Sequence, residues 1–326
     1  MRPRLLTAGI IVSVLLLSAA GCSGSNDSDS GQARFAGKAD VGRMMGTISF
    51  MAGEELKGRP TGSPESAELE GHLSRQFSDL SLEPVEILGL NDYRQEFQVP
   101  TERLFLENPP PGESVTACNL LGEIRGEPGS ETVILAANYD GIGVDAKTGS
   151  IYPGADYNAS GSSAVLELAR MFEQTGRKPA KNLVFALFGA EECGNYGSQA
   201  LAEAIESAGL RQAVSIINLE GIGGGEGDYM DVWDLDYRKN EPAVDALERA
   251  AELLGVELEP GGADPGTSSS VFFLFHQAAV TCDWSWYERS EHPDFHETSD
   301  IPEKINREGL RNVTEVVAEA TWDLAY

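Results

Sequence analysis

Apolar residues along the chain alternate between short continuous runs and longer stretches in which they recur every three or four positions. The continuous runs predict buried strands at residues 132–137, 183–187, 214–219, 229–233 and 279–283. The helical spacing predicts helices at residues 65–80, 163–172, 242–254 and 308–324. This alternation is typical of an α/β fold. We expect a three-layer sandwich in which helices cover both faces of a mostly parallel central sheet.

Residues 1–22 have the pattern of an export signal. Arg2 and Arg4 precede an apolar run at 5–17, and the small residues at 18–21 come immediately before Cys22. The run is too short for a membrane span and has the flanks of a secretory signal. Its ending, Leu-Ser-Ala-Ala-Gly-Cys, resembles a bacterial lipobox, which implies cleavage before Cys22 and lipid attachment to its thiol. An ordinary cleaved signal with an incidental cysteine is the alternative.

These patterns divide the chain into three parts. Residues 1–21 are interpreted as a lipoprotein signal peptide, and residues 22–39, rich in Ser, Asn, Asp and Gly, as a flexible tether. Residues 40–326 are interpreted as a single domain, because no repeat or linker divides them. The remaining cysteines are odd in number and widely spaced, so no disulfide framework follows. They are Cys118, Cys193 and Cys282.

Charge restricts the partners of the protein. The chain has 24 Lys and Arg against 52 Asp and Glu, a formal charge of −28. A field of this sign repels phosphate backbones and anionic lipid head groups, which argues against nucleic-acid binding. Lipid rather than polypeptide charge would therefore hold the protein to a membrane, on the outer side of it. The 41% hydrophobic content is enough to argue against disorder of the whole chain.

Five polar segments lie where predicted strands end or predicted helices begin. They are A-N-Y-D-G at 137–141, G-A-D-Y-N-A-S-G at 154–161, G-A-E-E-C at 189–193, N-L-E-G-I-G at 218–223 and F-H-E-T-S-D at 295–300. Doubly wound sheets bind their ligands just beyond the carboxyl ends of the strands. The five segments are therefore the candidates for a functional site.

In this order and spacing, the five segments resemble the secreted bacterial zinc aminopeptidases of metallopeptidase family M28. The resemblance covers about residues 45–320 and includes the G-R-P-T-G-S loop at 58–63. It implies the zinc-exopeptidase fold and removal of N-terminal residues from peptides. It also implies two adjacent zinc ions and a glutamate base that takes a proton from metal-bound water.

The resemblance assigns roles to individual residues. It makes Glu191 the general base and makes Glu192 and His296 metal ligands. Glu220 stands where the family has an Asp ligand, and its carboxylate can still reach a zinc ion. Asp140 and Asp300 would support the ligands through hydrogen bonds.

Two ligand positions depart from the family pattern. Asn138 stands in place of a His, and a neutral amide oxygen is a poor substitute for imidazole on zinc. Tyr157 stands in place of the Asp that bridges both ions, and a phenol with a pKa of about 10 does not supply an anionic two-oxygen bridge. We therefore expect one zinc ion at most, with no ion as the alternative. Its third ligand would be Glu220, Asp156 or an ionised Tyr157, although Asp156 is better interpreted as a helix cap or loop support.

Other residues near these segments have more ordinary interpretations. Trp284, Trp286 and Tyr287 precede His296 and would form either a wall of the pocket for the first substrate side chain or part of the core. Three further histidines are interpreted as surface or core residues, and a serine run is interpreted as a loop or helix cap. These are His72, His276 and His292, and Ser268 to Ser270.

Two functions are compatible with these residues. The first is a lipid-anchored, aminopeptidase-like metallo-exopeptidase with a reduced metal site, which the retained Glu191, Glu192 and His296 favour. The alternative is a pseudopeptidase that binds peptides or a partner protein without cleavage, which the loss of the bridging Asp at Tyr157 favours. The related glutaminyl cyclases hold one zinc ion with Asp, Glu and His on a similar fold. They fit less well, because Tyr157 also occupies their Asp position.

Overall fold

The computed structural model describes residues 33–225, 227–261, 268–286 and 292–326. The predicted signal peptide, Cys22 and residues 22–32 of the predicted tether lie outside the described residues, and so does Tyr287. In the part of the chain that is described, no helix is long and apolar enough to cross a membrane.

The described residues form helices and strands in alternation along most of the chain. The helices are α1 (Val41–Met51), α2 (Pro64–Asp79), α3 (Gly161–Gln174), α4 (Tyr196–Ser207), α5 (Tyr237–Leu254), α6 (Ser268–Leu274) and α7 (Arg307–Ala325). The strands are β1 (Glu83–Pro84), β2 (Arg94–Pro100), β3 (Ser114–Ile124), β4 (Thr132–Asn138), β5 (Asn182–Phe188), β6 (Val214–Leu219), β7 (Tyr229–Asp234), β8 (Glu257–Gly261) and β9 (Ala278–Trp284).

All described strands belong to one sheet, in the order β1-β3-β5-β4-β6-β9-β7-β8, with β2 also paired to β3. The central strands β5, β4, β6 and β9 are parallel, as predicted. Towards one edge β3 pairs antiparallel with β1, β2 and β5, and towards the other β7 pairs antiparallel with β9. The α/β sandwich is therefore confirmed, and its sheet is mixed because antiparallel strands flank the parallel centre.

Helices cover both faces of the sheet, as predicted. On one face Leu166 of α3, Leu247 of α5 and Val316 of α7 belong to the larger core cluster. On the other face Leu201 of α4 and Phe272 of α6 belong to a second cluster. Strands buried on both sides need apolar residues at every position, which explains the continuous apolar runs in the sequence.

The predicted helices and strands are all present, and several further elements were not predicted. The longest unpredicted strand, β3, carries polar residues within its buried part. One of them, Asn119, is fully buried and donates to Gln95 Oε1 and to the carbonyl oxygen of Gly197. Because its polar atoms are satisfied by neighbours distant in sequence, the local pattern does not indicate a buried strand there.

The folded domain begins earlier than residue 40, which corrects the predicted end of the tether. The Phe35 side chain is only 4% exposed and packs against Phe172 and Trp322. The backbone N–H groups of Arg34 and Phe35 donate to Glu319 Oε2 at 2.8 and 3.0 Å. One aromatic residue in a polar segment gives little periodicity, so the sequence pattern did not reveal this attachment.

Replacing Phe35 with Ala is expected to lower the free energy of unfolding by about 3 kcal/mol, because it leaves a cavity between Phe172 and Trp322. Urea denaturation measures this change. Phe105→Ala is the matched control, because Phe105 is 50% exposed, and its effect should stay within about 0.5 kcal/mol. Equal effects of the two variants would contradict the revised domain boundary.

Candidate active site

The predicted site residues meet at the carboxyl edge of the parallel strands. Asn138 is the last residue of β4, Glu191 and Glu192 follow β5, and Glu220 follows β6 directly. Because β4, β5 and β6 are parallel neighbours, their ends bring these side chains together. His296 reaches the same place from the loop between β9 and α7.

Glu192 and His296 converge as the resemblance predicts. Glu192 Oε2 lies 3.1 Å from His296 Nε2, and its other oxygen lies 3.4 Å from Asn138 Nδ2. The Glu192 side chain is largely buried and that of His296 is 38% exposed. The pair places one carboxylate and one imidazole where a single cation would contact both.

Tyr157, at the position of the family's bridging Asp, forms a hydrogen bond with Glu220. Its hydroxyl donates to Glu220 Oε2 at 3.0 Å, while Glu220 Oε1 accepts from Asn218 Nδ2 and from the backbone N–H of Ser268. Burial, and then the negative charge of Glu220, raise the pKa of the Tyr157 phenol well above its ordinary value. The phenol therefore keeps its proton and satisfies the carboxylate as a neutral donor.

Asn138 is held by Asn158, a residue to which the sequence pattern assigned no role. Asn158 is fully buried, and its Nδ2 donates to Asn138 Oδ1 and to the carbonyl oxygen of Leu219, each at 2.8 Å. Its Oδ1 accepts the backbone N–H groups of Gly161 and Gly221. The only sequence signal for this role is the position of Asn158 inside the N-A-S-G segment.

Glu191 is a buried carboxyl held by two donors. Its Oε1 accepts the backbone N–H of Ser198 at 2.7 Å, and its Oε2 accepts the Ser268 hydroxyl at 2.6 Å. Burial raises its pKa to about 8, although both hydrogen bonds act in the opposite direction. Ser268 is the first residue of α6 and contacts both Glu191 and Glu220. This contact gives it a more specific role than the helix cap that its sequence suggested.

Asp140 and Asp300 support the loops that carry the site. Asp140 accepts the backbone N–H groups of Glu191 and Glu192, and Asp300 accepts those of Asp156 and Tyr157. Burial raises the pKa of both carboxyls, and the nearby charges of Glu192 and Asp156 raise them further. The two aspartates fix backbone rather than ligand side chains.

Asp156 and His292 form a separate buried pair. His292 Nδ1 lies 3.1 Å from Asp156 Oδ2, and its Nε2 lies 2.9 Å from the carbonyl oxygen of Trp284. Asp156 Oδ1 accepts the backbone N–H of Gly223. Through these contacts Asp156 supports the loops around it. Burial lowers the pKa of His292, but the hydrogen bond and charge of Asp156 outweigh this effect and raise it.

The predicted pocket aromatics separate into two groups. Trp284 is 1% exposed and belongs to the larger core cluster. Trp286 contacts the site, because its ring stacks on His292 at 4.1 Å and lies 5.9 Å from Tyr157. Phe295 also packs edge-on against Tyr157 at 4.6 Å.

Arg59 supplies a buried positive charge beneath these acids. It is 0% exposed and donates to the carbonyl oxygens of Tyr139, Met51, Pro153 and Gly154. Its charge acts on Asp140, Glu192 and Asp300. The G-R-P-T-G-S pattern indicated only a loop, so this role of Arg59 was not predicted.

Two side chains that suit zinc lie beside one cavity of the site. Glu192 and His296 are ordinary zinc ligands, and Tyr157 lines the same cavity of about 10 Å³ beside them. At the second position Asn138 Oδ1 already accepts from Asn158, and Glu220 already accepts from Tyr157. Among the described residues, no three His, Cys, Asp or Glu side chains are grouped as ligands of one ion.

Sequence comparison shows that this chain is similar to peptidases. Residues 119–321 match the profile of peptidase family M28. Aminopeptidase YwaD of Bacillus subtilis is 28% identical over 202 residues, which are 59% of this chain and 41% of that protein. A probable zinc metalloprotease of Pyricularia oryzae is 31% identical over 110 residues, 33% of this chain and 20% of that protein. The matched region thus spans less than half the length of these curated relatives.

Solved structures share the fold over most of the chain. A zinc aminopeptidase from Bacillus subtilis superposes with a TM-score of 0.70 at 17% identity, covering 88% of this chain and 95% of that one. A glutaminyl cyclase from Fimbriiglobus ruber gives a TM-score of 0.68 at 19% identity, with coverage of 87% and 95%. At these identities the likeness establishes the fold alone.

Replacing Arg59 with Met is expected to lower the free energy of unfolding by about 3 kcal/mol or more, because buried carbonyl oxygens lose their donor. Thermal and urea denaturation measure the loss. Arg103→Met is the control, since Arg103 is exposed and its replacement should change stability by about 0.5 kcal/mol at most. An Arg59→Met variant as stable as the control would show that Arg59 is not a structural support of the site.

Proposed function

This chain belongs to peptidase family M28, and from that membership we propose that it is an aminopeptidase-like hydrolase that removes N-terminal residues of peptides with a single zinc ion. The observation that carries the proposal is the convergence of Glu192 and His296, 3.1 Å apart, next to the retained Glu191. Relatives of the chain are named aminopeptidases and zinc metalloproteases, which supports the reaction class.

Each residue of the site has a part in this reaction. Glu192 and His296 would hold the ion, and the chemistry that zinc supplies is an acidified water and a polarised peptide carbonyl. The positive charge of a bound ion would favour the ionised form of Glu191. Glu191 would then take the proton of the attacking water and pass it to the leaving amine. Ser198 and Ser268 fix the orientation of that carboxyl through their hydrogen bonds.

A second candidate, peptide binding without cleavage, is favoured by one specific contact. The hydrogen bond from Tyr157 to Glu220 satisfies that carboxylate with a neutral donor, so the site is stable without a second cation. A pseudopeptidase would keep the acidic pocket for an amino terminus and lack the hydrolytic step.

An aminoacyl-anilide assay separates the two candidates. We expect zinc-dependent release of the anilide by the purified protein and a loss of about 10²-fold or more in Glu191→Gln, because the base is removed. Glu173→Gln is the control, because Glu173 is an exposed carboxylate at the end of α3.

The possible outcomes of this assay are distinct. Activity that survives Glu191→Gln would contradict the mechanism. Absence of activity, with calorimetric binding of a dipeptide retained, would identify the pseudopeptidase instead.

We further propose that lipid on Cys22 anchors the protein on the outer side of a membrane. The proposal is supported by the small residues before Cys22 and by the negative charge of the chain, which does not itself attract an anionic membrane. Cys22→Ser should move the protein from the membrane fraction to the supernatant after ultracentrifugation. Cys118→Ser is the control, because Cys118 is a buried free cysteine in the folded domain. A Cys22→Ser protein that still sediments with membranes would contradict the anchor.

A further inference from the structure

Two buried aspartates face each other across neighbouring antiparallel strands. Asp231 of β7 and Asp283 of β9 are register partners, so their side chains project from the same face of the sheet. Asp231 is 0% exposed and Asp283 is 5% exposed. Two like charges directly opposite each other repel, and burial strengthens the repulsion.

Of the two carboxyl oxygens of Asp283, one accepts a hydrogen bond and the other has no partner among the described residues. Its Oδ2 accepts the indole N–H of Trp233 at 2.6 Å. Its Oδ1 is buried and has no hydrogen-bond partner among the described residues. A protonated carboxyl is a donor as well as an acceptor, and the facing Asp231 carboxylate is an acceptor.

We propose that Asp283 is a carboxylic acid at neutral pH, that it donates its proton to Asp231, and that this acid pair is a positioning element for Trp286. The link is direct, because Asp231 Oδ2 accepts the backbone N–H of Trp286 at 2.6 Å. The proton thereby removes the repulsion that would otherwise separate β7 from β9.

Trp286 connects the pair of Asp231 and Asp283 to the candidate site. Its indole N–H donates to the carbonyl oxygen of Gly221, the residue after Glu220, at 3.1 Å. Its ring stacks on His292 and packs near Tyr157. The inference does not depend on the proposed function, because these contacts fix the wall of the site whether or not the site cleaves peptides.

The charges around Asp283 agree with the protonated form. Within the described part of the chain, the ionisable groups that act on it include Asp231 from β7, Glu220 from the loop after β6 and Cys282 from its own strand. Burial, and then the charge of Asp231, raise the pKa of Asp283 well above its ordinary value. The folded chain therefore holds a proton that the unfolded chain releases above about pH 4. Stability should fall as pH rises from there until the folded pKa is passed.

Urea denaturation between about pH 5 and pH 8 tests whether the folded protein retains a proton on Asp283. One retained proton makes the folding constant fall up to about tenfold per pH unit. In Asp283→Asn this dependence should decrease by one proton, because the amide donates to Asp231 without titrating. Asp79→Asn, at the exposed end of α2, is the control and should leave the dependence unchanged. An unchanged pH dependence in Asp283→Asn would overturn the proposal.

Two further measurements test the proposal. The first uses the wild-type protein, so it remains informative if a variant fails to fold. In the wild-type protein labelled with ¹³C at Asp carboxyls, the Asp283 resonance should stay in its protonated position from about pH 3 to about pH 8. A resonance that titrates near about pH 4 would overturn the proposal. In a Trp233→Phe background, which removes the indole that donates directly to Asp283, near-ultraviolet circular dichroism should report an altered tryptophan environment in Asp283→Ala and not in Asp283→Asn. Identical spectra of Asp283→Ala in this background and of Trp233→Phe alone would show that the pair does not position Trp286.

Discussion

The structure depends on the neutralisation of carboxyl groups crowded at one edge of the sheet. Asp140, Asp156, Glu191, Glu220 and Asp300 are all buried there, and each ionised carboxylate without a partner is costly in such surroundings. A two-zinc peptidase would meet this requirement with cations. Here backbone N–H groups and the Tyr157 hydroxyl donate to the carboxyls, and the Arg59 guanidinium supplies a positive charge. Burial also raises the pKa of Glu191, Asp140 and Asp300, which favours their neutral form.

Asn138 and Tyr157, the two positions that depart from the family pattern, both belong to this network of hydrogen bonds. Tyr157 is a donor where a bridging acceptor would be, and Asn138 has both polar atoms in contact with neighbouring side chains. Both side chains fit a network of hydrogen bonds with neighbouring polar side chains. Glu192 and His296 lie at the exposed side of this network, where one ion remains compatible with the donors.

The sequence predicted the central strands and the main helices because each buries an apolar face with a clear period. It also predicted which side chains meet, because the ends of parallel strands share one edge. It did not predict the antiparallel flanks, the attachment of Phe35, or the roles of Arg59, Asn158 and His292. These features depend on partners distant in the chain, such as the carbonyl oxygens of Tyr139 and Leu219, and no local pattern records such contacts.

The zinc content of a doubly substituted protein tests most directly whether hydrogen bonds have replaced the second ion. Asn138→His with Tyr157→Asp restores an imidazole and a carboxylate at the bridging position. The double substitution also removes the Tyr157 hydroxyl that donates to Glu220. Metal analysis after equilibration with zinc should find one ion per chain at most in the wild type and two in the double variant. Two zinc ions in the wild-type protein would show that Asn138 and Tyr157 are working ligands and would contradict this replacement.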